Sequence, residues 1–505
     1  MKILLTGASG AMGQESLKAI LAGERNFDLL LPVMDTDKDR TIMRPYVSIP
    51  KIQIVYGNLT DPAFVTELMK GIDLVIHIAA FVSPAADYDP MKAMQVNFGS
   101  MKNLVSAIYH WGQETATKLV SIGTVAQTGD RMPGLHWGRV GDPIKPSIFD
   151  YYAVSKVAAE RYLIESGLSY WVSLRQTGMM GPAMAGIRDA IIFHNCLDNV
   201  LEYVSDRDSG RMIAHLCQYE AAGSLAEDFW NHVYNIGGGE SCRVSTYELF
   251  QAFYGGKLGF SNLDNVINPK LYATQNFHGH YYLDSDILEN FLHFQSDSID
   301  YFYSSLEKNV GWGIHAIRLI NKLPGGQKLL GKIIQYQFKK IARTRFGTLR
   351  FIEDNLEPQI EAYWGNRDKW KSLPNKLSDM EHFTAWSTQK IVDHGYDESK
   401  SPEQLDLEDL RGAAVFRGGE CLSSQMEKGN WSEKLHFRCA FGHEFTASPK
   451  LVLEAGHFCP VCESSSWNYG ERAKREPFLA QVWSPHHNPS EVREYPKIVS
   501  EKDVE

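Results

Sequence analysis

Over the first 180 residues, short apolar runs of strand length alternate with stretches patterned as helices. The runs are Lys2–Leu5, Leu29–Val33, Ile52–Tyr56, Leu74–Ile78, Lys118–Ile122 and Tyr170–Leu174. Between them lie the helix-length stretches Gln14–Ala22, Phe64–Lys70, Met91–Tyr109 and Ala153–Ser166. Strands separated by helices pair as parallel crossovers with the helices on both faces, so the pattern predicts an α/β, doubly wound parallel sheet.

The first strand runs into Thr6-Gly7-Ala8-Ser9-Gly10-Ala11-Met12-Gly13, which opens the first helix. Glycine allows the sharp turn and the close approach of a pyrophosphate, and the helix N-terminus turns its N–H groups on that anion. The loop makes the fold Rossmann-type and gives Gly7, Ser9, Gly10, Ala11, Met12 and Gly13 as dinucleotide contacts. Asp35, after the second strand, can accept both ribose hydroxyls and repels a 2′-phosphate, which favours NAD. Lys38 and Arg40 lie close enough to serve a phosphate, so NADP stays open.

Composition narrows the class further. The chain has 505 residues, 44% hydrophobic and 22% charged, with net charge −10. That is ordinary for a globular protein and argues against a chain that coats nucleic acid as a whole. No apolar run approaches about 18 residues, so no transmembrane helix is predicted. Seven cysteines, four of them near the C-terminus, do not form a disulfide framework. They point to a reducing, cytoplasmic setting.

Tyr152 and Lys156 lie four apart at the start of a helical pattern, hence on one face. A free phenol titrates near pH 10, and a neighbouring ammonium favours its phenolate. The pair can pass a proton to or from a carbinol oxygen while a hydride moves to or from nicotinamide. Thr124, after the strand Lys118–Ile122, can bond the same oxygen.

Here the sequence resembles the extended short-chain dehydrogenase/reductases, the NAD-dependent epimerase/dehydratase family. The resemblance runs in order over about the first 240 residues. Thr6–Gly13 is similar to its T-G-x-x-G-x-x-G loop. Gly57-Asn58-Leu59-Thr60-Asp61 resembles its G-D-L-x-D segment, which implies that Asn58 and Leu59 lie beside adenine. Val75–Ala80 resembles the strand whose end, here Ala79 and Ala80, touches the cofactor. Val96-Asn97-Phe98-Gly99 resembles V-N-x-x-G, which implies that Asn97 orders the site. Ser121–Thr124 stands at the family's S-S motif, and Tyr152 with Lys156 at its Y-x-x-x-K pair. Leu174–Gly178 resembles L-R-P near the nicotinamide, bringing in Gln176 and Gly178, and Tyr234–Gly238 resembles Y-N-I-G-G. Gln218 stands where many members have the acid of H-x-x-D, which weakens the sugar-nucleotide reading.

Three functions follow. The leading one is an NAD(P)-dependent oxidoreductase interconverting a secondary alcohol and a ketone on a fairly large or apolar molecule. The alternative is a sugar-nucleotide epimerase/dehydratase that retains its NAD. The third is a cofactor-sensing binding protein acting through a C-terminal metal module.

That module is Cys439-x3-His443, fifteen intervening residues, then Cys459-Pro460-Val461-Cys462. Four ligands in two turns close a tetrahedral Zn²⁺ site with no open position, hence a structural metal. The surrounding sequence resembles zinc-ribbon and treble-clef modules, with Cys421 as an extra buried cysteine. Ahead of it, Gly313–Phe346 mixes apolar residues with lysines and arginines. Such a segment can lie on a membrane or a partner. The reading taken is helices packed on the core with a solvated basic face, which disfavours peripheral membrane contact. The predicted divisions are 1–300 for the dinucleotide and substrate lobes, 301–415 for a helical extension, 416–475 for the zinc module and 476–505 for an irregular tail. The extension is read as covering the substrate opening. The partner expected is a small molecule, with a homodimer as the candidate assembly and nucleic acid disfavoured.

Overall fold

A computed structural model describes residues 1–182, 184, 187–310 and 312–504. Its centre is a seven-stranded sheet: β1 (Lys2–Thr6), β2 (Asp28–Val33), β3 (Ile52–Tyr56), β4 (Leu74–His77), β5 (Lys118–Thr124), β6 (Trp171–Gln176) and β7 (His232–Ile236). The order across the sheet is β3-β2-β1-β4-β5-β6-β7, and every neighbouring pair is parallel. The order reverses between β1 and β4, and the crevice beyond the strand ends at such a switch point is where ligands bind.

Side chains alternate strictly through the sheet. Leu4, Leu30, Val75 and Leu119 enter one core, while Ile3, Leu5, Leu29, Leu31, Ile76 and Val120 enter the other. Both faces are therefore buried, as parallel sheets require. Four helices carry the argument here: α1 (Ala11–Ala22), α2 (Ser100–His110), α3 (Tyr151–Ile164) and α4 (Asp206–Ala222).

The segment patterned as one helix over Met91–Tyr109 is in fact broken. Pro90–Ala93 is a short helix, Met94–Gly99 is a π-helical turn, and α2 starts only at Ser100. Such wide turns in a helix are frequent at functional sites, and this one contains Asn97.

The extension contributes the hairpin α5 (Trp312–Asn321) and α6 (Gly326–Ile341), then α7 (Thr348–Glu353) and α8 (Glu357–Trp364). After the helix Arg367–Ser372 the chain is mostly irregular until α9 (Leu407–Phe416). The cysteine-rich segment forms a small antiparallel sheet of β8 (Glu420–Cys421), β9 (Leu435–Arg438) and β10 (Glu444–Ala447), followed by α10 (Pro460–Ser465).

This segment has no core of its own. Leu435, Phe437, Leu451, Val452 and Phe458 join the cluster that holds Leu104, Ile108 and Leu163. The tail read as irregular is also structured. Pro477–Trp483 is helical, and Tyr495–Pro496 pairs with Ser466–Trp467. Phe478, Leu479, Val482 and Tyr495 are buried, and Lys102 Nζ donates to the Val504 carbonyl at 2.9 Å. Apolar residues spaced among prolines gave no periodic signal in the sequence, yet they find a surface to cover.

Candidate active site and metal centre

The glycine loop is held by close backbone contacts. Gly7 has φ +71°, and a Cβ there would lie 2.7 Å from the Ala79 nitrogen. A Cβ on Gly13 would lie 2.2 Å from the Gly7 carbonyl oxygen. Only glycine fits at either position, and the turn it permits brings the N-terminus of α1 to the end of β1.

A histidine outside the sequence-derived set locks this geometry. The Ala79 N–H donates to Thr6 Oγ1, so the Thr6 hydroxyl is left to donate to His77 Nδ1 at 2.9 Å. His77 Nε2 meets Ser100 Oγ at 3.4 Å, and Ser100 donates to the Val96 carbonyl. Burial drives His77 down to about 3, so it is neutral and can serve as acceptor and donor at once. A histidine at the end of an apolar strand carries no motif, which is why the sequence did not reveal it.

The remaining cofactor candidates surround this cleft. Asp35 is exposed and its carboxylate accepts from Arg40 Nε at 2.5 Å. The Arg40 guanidinium lies 4.2 Å from the centre of the Tyr56 ring. Asn58 Oδ1 accepts from the Thr60 N–H, and the Leu59 carbonyl accepts from Asn103. Ala80 follows Ala79 beyond the end of β4. Gln176 ends β6, and a Cβ on Gly178 would lie 2.6 Å from Leu201. Ser9, Gly10, Ala11 and Met12 lie at the turn into α1, with Gly10 as its N-cap. The chain thus has a cradle that a side chain would fill, a helix N-terminus facing it and an acid beyond β2. These residues fit an NAD.

The candidate catalytic residues meet where α3 begins. Asp150 caps the helix by accepting the Ala153 N–H at 2.8 Å. Asp87 Oδ1 accepts from Tyr151 N at 2.9 Å and Tyr152 N at 3.4 Å. Asn97 clamps the segment after β4 to α3. Its Oδ1 accepts the Phe81 N–H at 2.7 Å, and its Nδ2 donates to the Phe81 carbonyl and to Ser155 Oγ. Ser155 in turn donates to the Tyr152 carbonyl at 2.7 Å. Thr124 is fixed by Gln127, which accepts its N–H at 2.9 Å.

The Tyr152 phenol is pushed above its ordinary value by burial and by Asp150, with a side-chain hydrogen bond to Thr124 pulling the other way. Burial pulls the Lys156 ammonium down to about 8, opposed by Glu160. Lys156 Nζ donates to the Ile122 carbonyl at 2.6 Å. The expectation that Lys156 depresses the Tyr152 phenol differs from this arrangement, because desolvation of the phenol dominates and the ammonium is turned to the backbone. Asp87, Asp150, Gln127 and Ser155 also line the candidate site and escaped the sequence reading: Asp150 and Gln127 act as helix caps without a motif, and Asp87 and Ser155 through bonds to residues 58 to 65 positions away.

Beside the start of α3 lies a cavity of about 250 Å³. Aromatic walls come from distant segments: Tyr88, Phe149, Phe277, Phe346, Phe351 and Tyr363. The last three belong to the extension, which therefore forms part of the cavity wall. Asp87, Asp150 and Asp189 line it, with Arg345 as the only lysine or arginine among the described residues. Ser147 Oγ and His278 Nδ1 are buried there without a hydrogen-bond partner.

The metal candidates converge as well. Cys439 Sγ, Cys462 Sγ and Cys459 Sγ lie 3.4, 3.4 and 3.6 Å from His443 Nδ1, and Cys439 and Cys462 are 3.8 Å apart. A tetrahedral Zn²⁺ bound at about 2.0–2.3 Å sets ligand edges of roughly 3.5–3.8 Å, so the four residues fit one. Cys421 is half-buried and outside this group.

The metal loop is bonded to the back of α3. Glu463 pairs with Arg161 of α3 and accepts from the Phe458 N–H at 2.6 Å. His457 bridges Glu463 at 2.9 Å to Glu160 of α3 at 3.1 Å. Glu160 also receives Arg175 at 2.6 Å and Ser173 at 2.6 Å, and Arg175 donates to the Ala455 carbonyl.

A parallel sheet with a glycine loop at its switch point defines a dinucleotide-binding enzyme fold. Residues 3–207 match the NAD dependent epimerase/dehydratase family. UDP-N-acetylglucosamine 4,6-dehydratase (inverting) of Campylobacter jejuni is 27% identical over 111 residues, 22% of this chain and 33% of that protein. 3-beta-hydroxysteroid dehydrogenase of Mycolicibacterium neoaurum is 26% identical over 209 residues, 40% of this chain and 52% of that protein. The structure of a dTDP-glucose 4,6-dehydratase from Streptomyces venezuelae, with NAD bound, matches with TM-score 0.49 and 20% identity over 62% of this chain and 98% of that chain. The chain spans about a third to just over half the length of the curated relatives it matches. The family favours the epimerase/dehydratase alternative over a generic alcohol–ketone oxidoreductase. Among the described residues, no helix is long and apolar enough to cross a membrane.

Proposed function

We propose that the chain is an NAD-dependent enzyme of epimerase/dehydratase type that works at a hydroxyl-bearing carbon and keeps its cofactor through the cycle. The observation that carries this reading is the convergence of Thr124, Tyr152 and Lys156 beside the glycine loop of a family segment. When bound, NAD would supply the hydride acceptor. Tyr152 Oη removes the carbinol proton and returns it. Thr124 holds the substrate oxygen against that phenol. Lys156, whose Nζ donates to the Ile122 carbonyl, would also donate to the cofactor ribose once NAD is bound. Asn97, through Ser155, keeps the first turn of α3 in register with the end of β4.

The sugar-nucleotide relative supports a substrate of that class. The cavity favours a second reading, net alcohol–ketone conversion of an apolar-bodied molecule. A cavity of about 150 Å³ takes one benzene ring. One of about 250 Å³ suits a two-ring body better than a nucleoside diphosphate sugar. Three aspartates facing one arginine also oppose a diphosphate.

The deciding experiment incubates the purified protein with UDP-glucose, UDP-N-acetylglucosamine and 1-(2-naphthyl)ethanol, with NAD present. The first reading expects a changed sugar without accumulation of NADH, and the second expects NADH from the naphthyl alcohol. Tyr152→Phe should lower turnover by about 100- to 10,000-fold. Undiminished turnover would remove the assigned role. We propose further that Cys439, His443, Cys459 and Cys462 hold a structural Zn²⁺, expected near one ion per chain by metal analysis.

A further inference from the structure

The hairpin of α5 and α6 carries a surface unlike the rest of the molecule. One side of α6 is packed: Leu330, Ile334, Phe338 and Ile341 meet the core around Phe193, Phe260 and Tyr272. The opposite side offers Leu329, Ile333 and Tyr336 at i, i+4 and i+7, exposed by 59%, 51% and 67%. Leu319 and Leu323, at the end of α5 and in the turn, are exposed by 65% and 57%. Five large apolar side chains thus project from 18 consecutive residues. Scattered exposed apolar residues are normal, but a cluster of this kind marks a contact surface.

The charge around them has one sign. Between Lys308 and Ile352 there is no aspartate or glutamate, in a chain whose net charge is −10. Lys322, Lys328, Lys332, Lys339 and Lys340 are exposed, and among the described residues none lies in an ion pair. The flanking acids are already engaged: Glu307 with Lys257 and Arg318, and Glu353 with Arg343. Lysines ringing leucine, isoleucine and tyrosine match an interface with acyl chains below and anionic headgroups above. Nucleic acid would use the lysines and leave the leucines in water. A second copy would bring its own lysines against these.

We propose that the α5–α6 hairpin docks the protein on an anionic bilayer surface, with Leu319, Leu323, Leu329, Ile333 and Tyr336 entering the headgroup region and the five lysines facing the phosphates. The sequence reading of a merely solvated basic face is replaced, because the structure turns apolar residues outward beside the lysines. The segment after α6 leads directly to Arg345 and Phe346 at the cavity wall, so docking sets the cavity near the membrane.

The test is flotation of the full chain with vesicles of phosphatidylcholine alone and of phosphatidylcholine with about one-third phosphatidylglycerol. The expected result is capture by the anionic vesicles only, weakened by high salt. Lys328→Glu with Lys332→Glu should reduce capture by at least about 100-fold. Leu323→Asp with Ile333→Asp should do so by at least about 10-fold. These residues face solvent, and unchanged thermal unfolding and NAD binding would confirm that both variants fold. Absence of capture by anionic vesicles overturns the proposal. So does capture that survives the aspartate variant while duplex DNA binds more tightly than vesicles, which assigns the face to nucleic acid. Loss of a dimer in the aspartate variant, without vesicle capture by the parent, assigns it to a second copy and equally overturns it.

Discussion

The two ends of α3 answer to different partners. Its first two turns carry the proposed catalytic residues Tyr152 and Lys156, with Asp150 and Asp87 fixing the N-terminus. Its last turns present Glu160 and Arg161 to the metal loop through His457 and Glu463. The first turn is built from residues within 65 positions, all inside the family segment. The last is built across 297 positions. A single helix thus ties the candidate site of the matched segment to a module outside residues 3–207, and the comparison can be tested from either end.

The largest effect should come from the metal. Chelation is expected to unfold the Cys/His module, and because Phe437, Leu451 and Val452 share a core with Leu104 and Leu163, the loss should spread to the sheet. Circular dichroism and NAD binding followed during chelation should fall together. NAD binding that survives full metal loss would separate the two ends of α3. Next comes Glu160→Ala, which leaves Arg175 buried and unpaired beside His457. It should cost about 3–5 kcal/mol in urea unfolding. A cost near zero would mean that the contact across α3 has no mechanical weight.

At the other end, Gly13→Ala forces the loop apart by a Cβ 2.2 Å from the Gly7 carbonyl. NAD affinity should drop about 100-fold, and thermal unfolding should come earlier, with about 1–3 kcal/mol of stability lost, because the Cβ meets backbone. The smallest effect is one of pH. Lys156 titrates at about 8, below its ordinary value because it is buried. Its ammonium is lost as pH rises through about 8, so NAD affinity should weaken above that point. Stability moves the opposite way. The unfolded lysine still holds its proton between about pH 8 and 10.4, so over that window this group's contribution to stability rises with pH. Calorimetric NAD titrations and urea unfolding at pH 7, 8 and 9 would reveal whether the two trends part.

Legibility followed locality. The six strand runs over the first 180 residues appear as β1 to β6 with ends shifted by a residue or two, because buried parallel strands are written as plain apolar runs. The glycine loop, Thr124, Tyr152 and the cysteine pairs were legible because each is a spacing along the chain. His77 and Asp87 were not, since their meaning lies in hydrogen bonds to groups that only the fold brings near, and Gln127 was not, since its local cap on Thr124 carries no motif. The broken helix at Met94–Gly99 also escaped, because its residues have good helical periodicity and the wide turn is held by Asn97 reaching Phe81. The cavity walls could not be read at all. Phe149, Phe277 and Phe346 come from three lobes with no shared pattern.

The bond between His457 and Glu160 also sets a clock. A ribosome adds about 5–20 residues per second, so the 297 positions between them take roughly 15 to 60 s to emerge. During that time the sheet can form while Glu160, Arg161 and Arg175 wait without their distal partners. A nascent chain of this protein therefore passes through a long-lived, half-finished state with a charged seam open along α3, and it is in that interval that a chaperone or a protease has its best access.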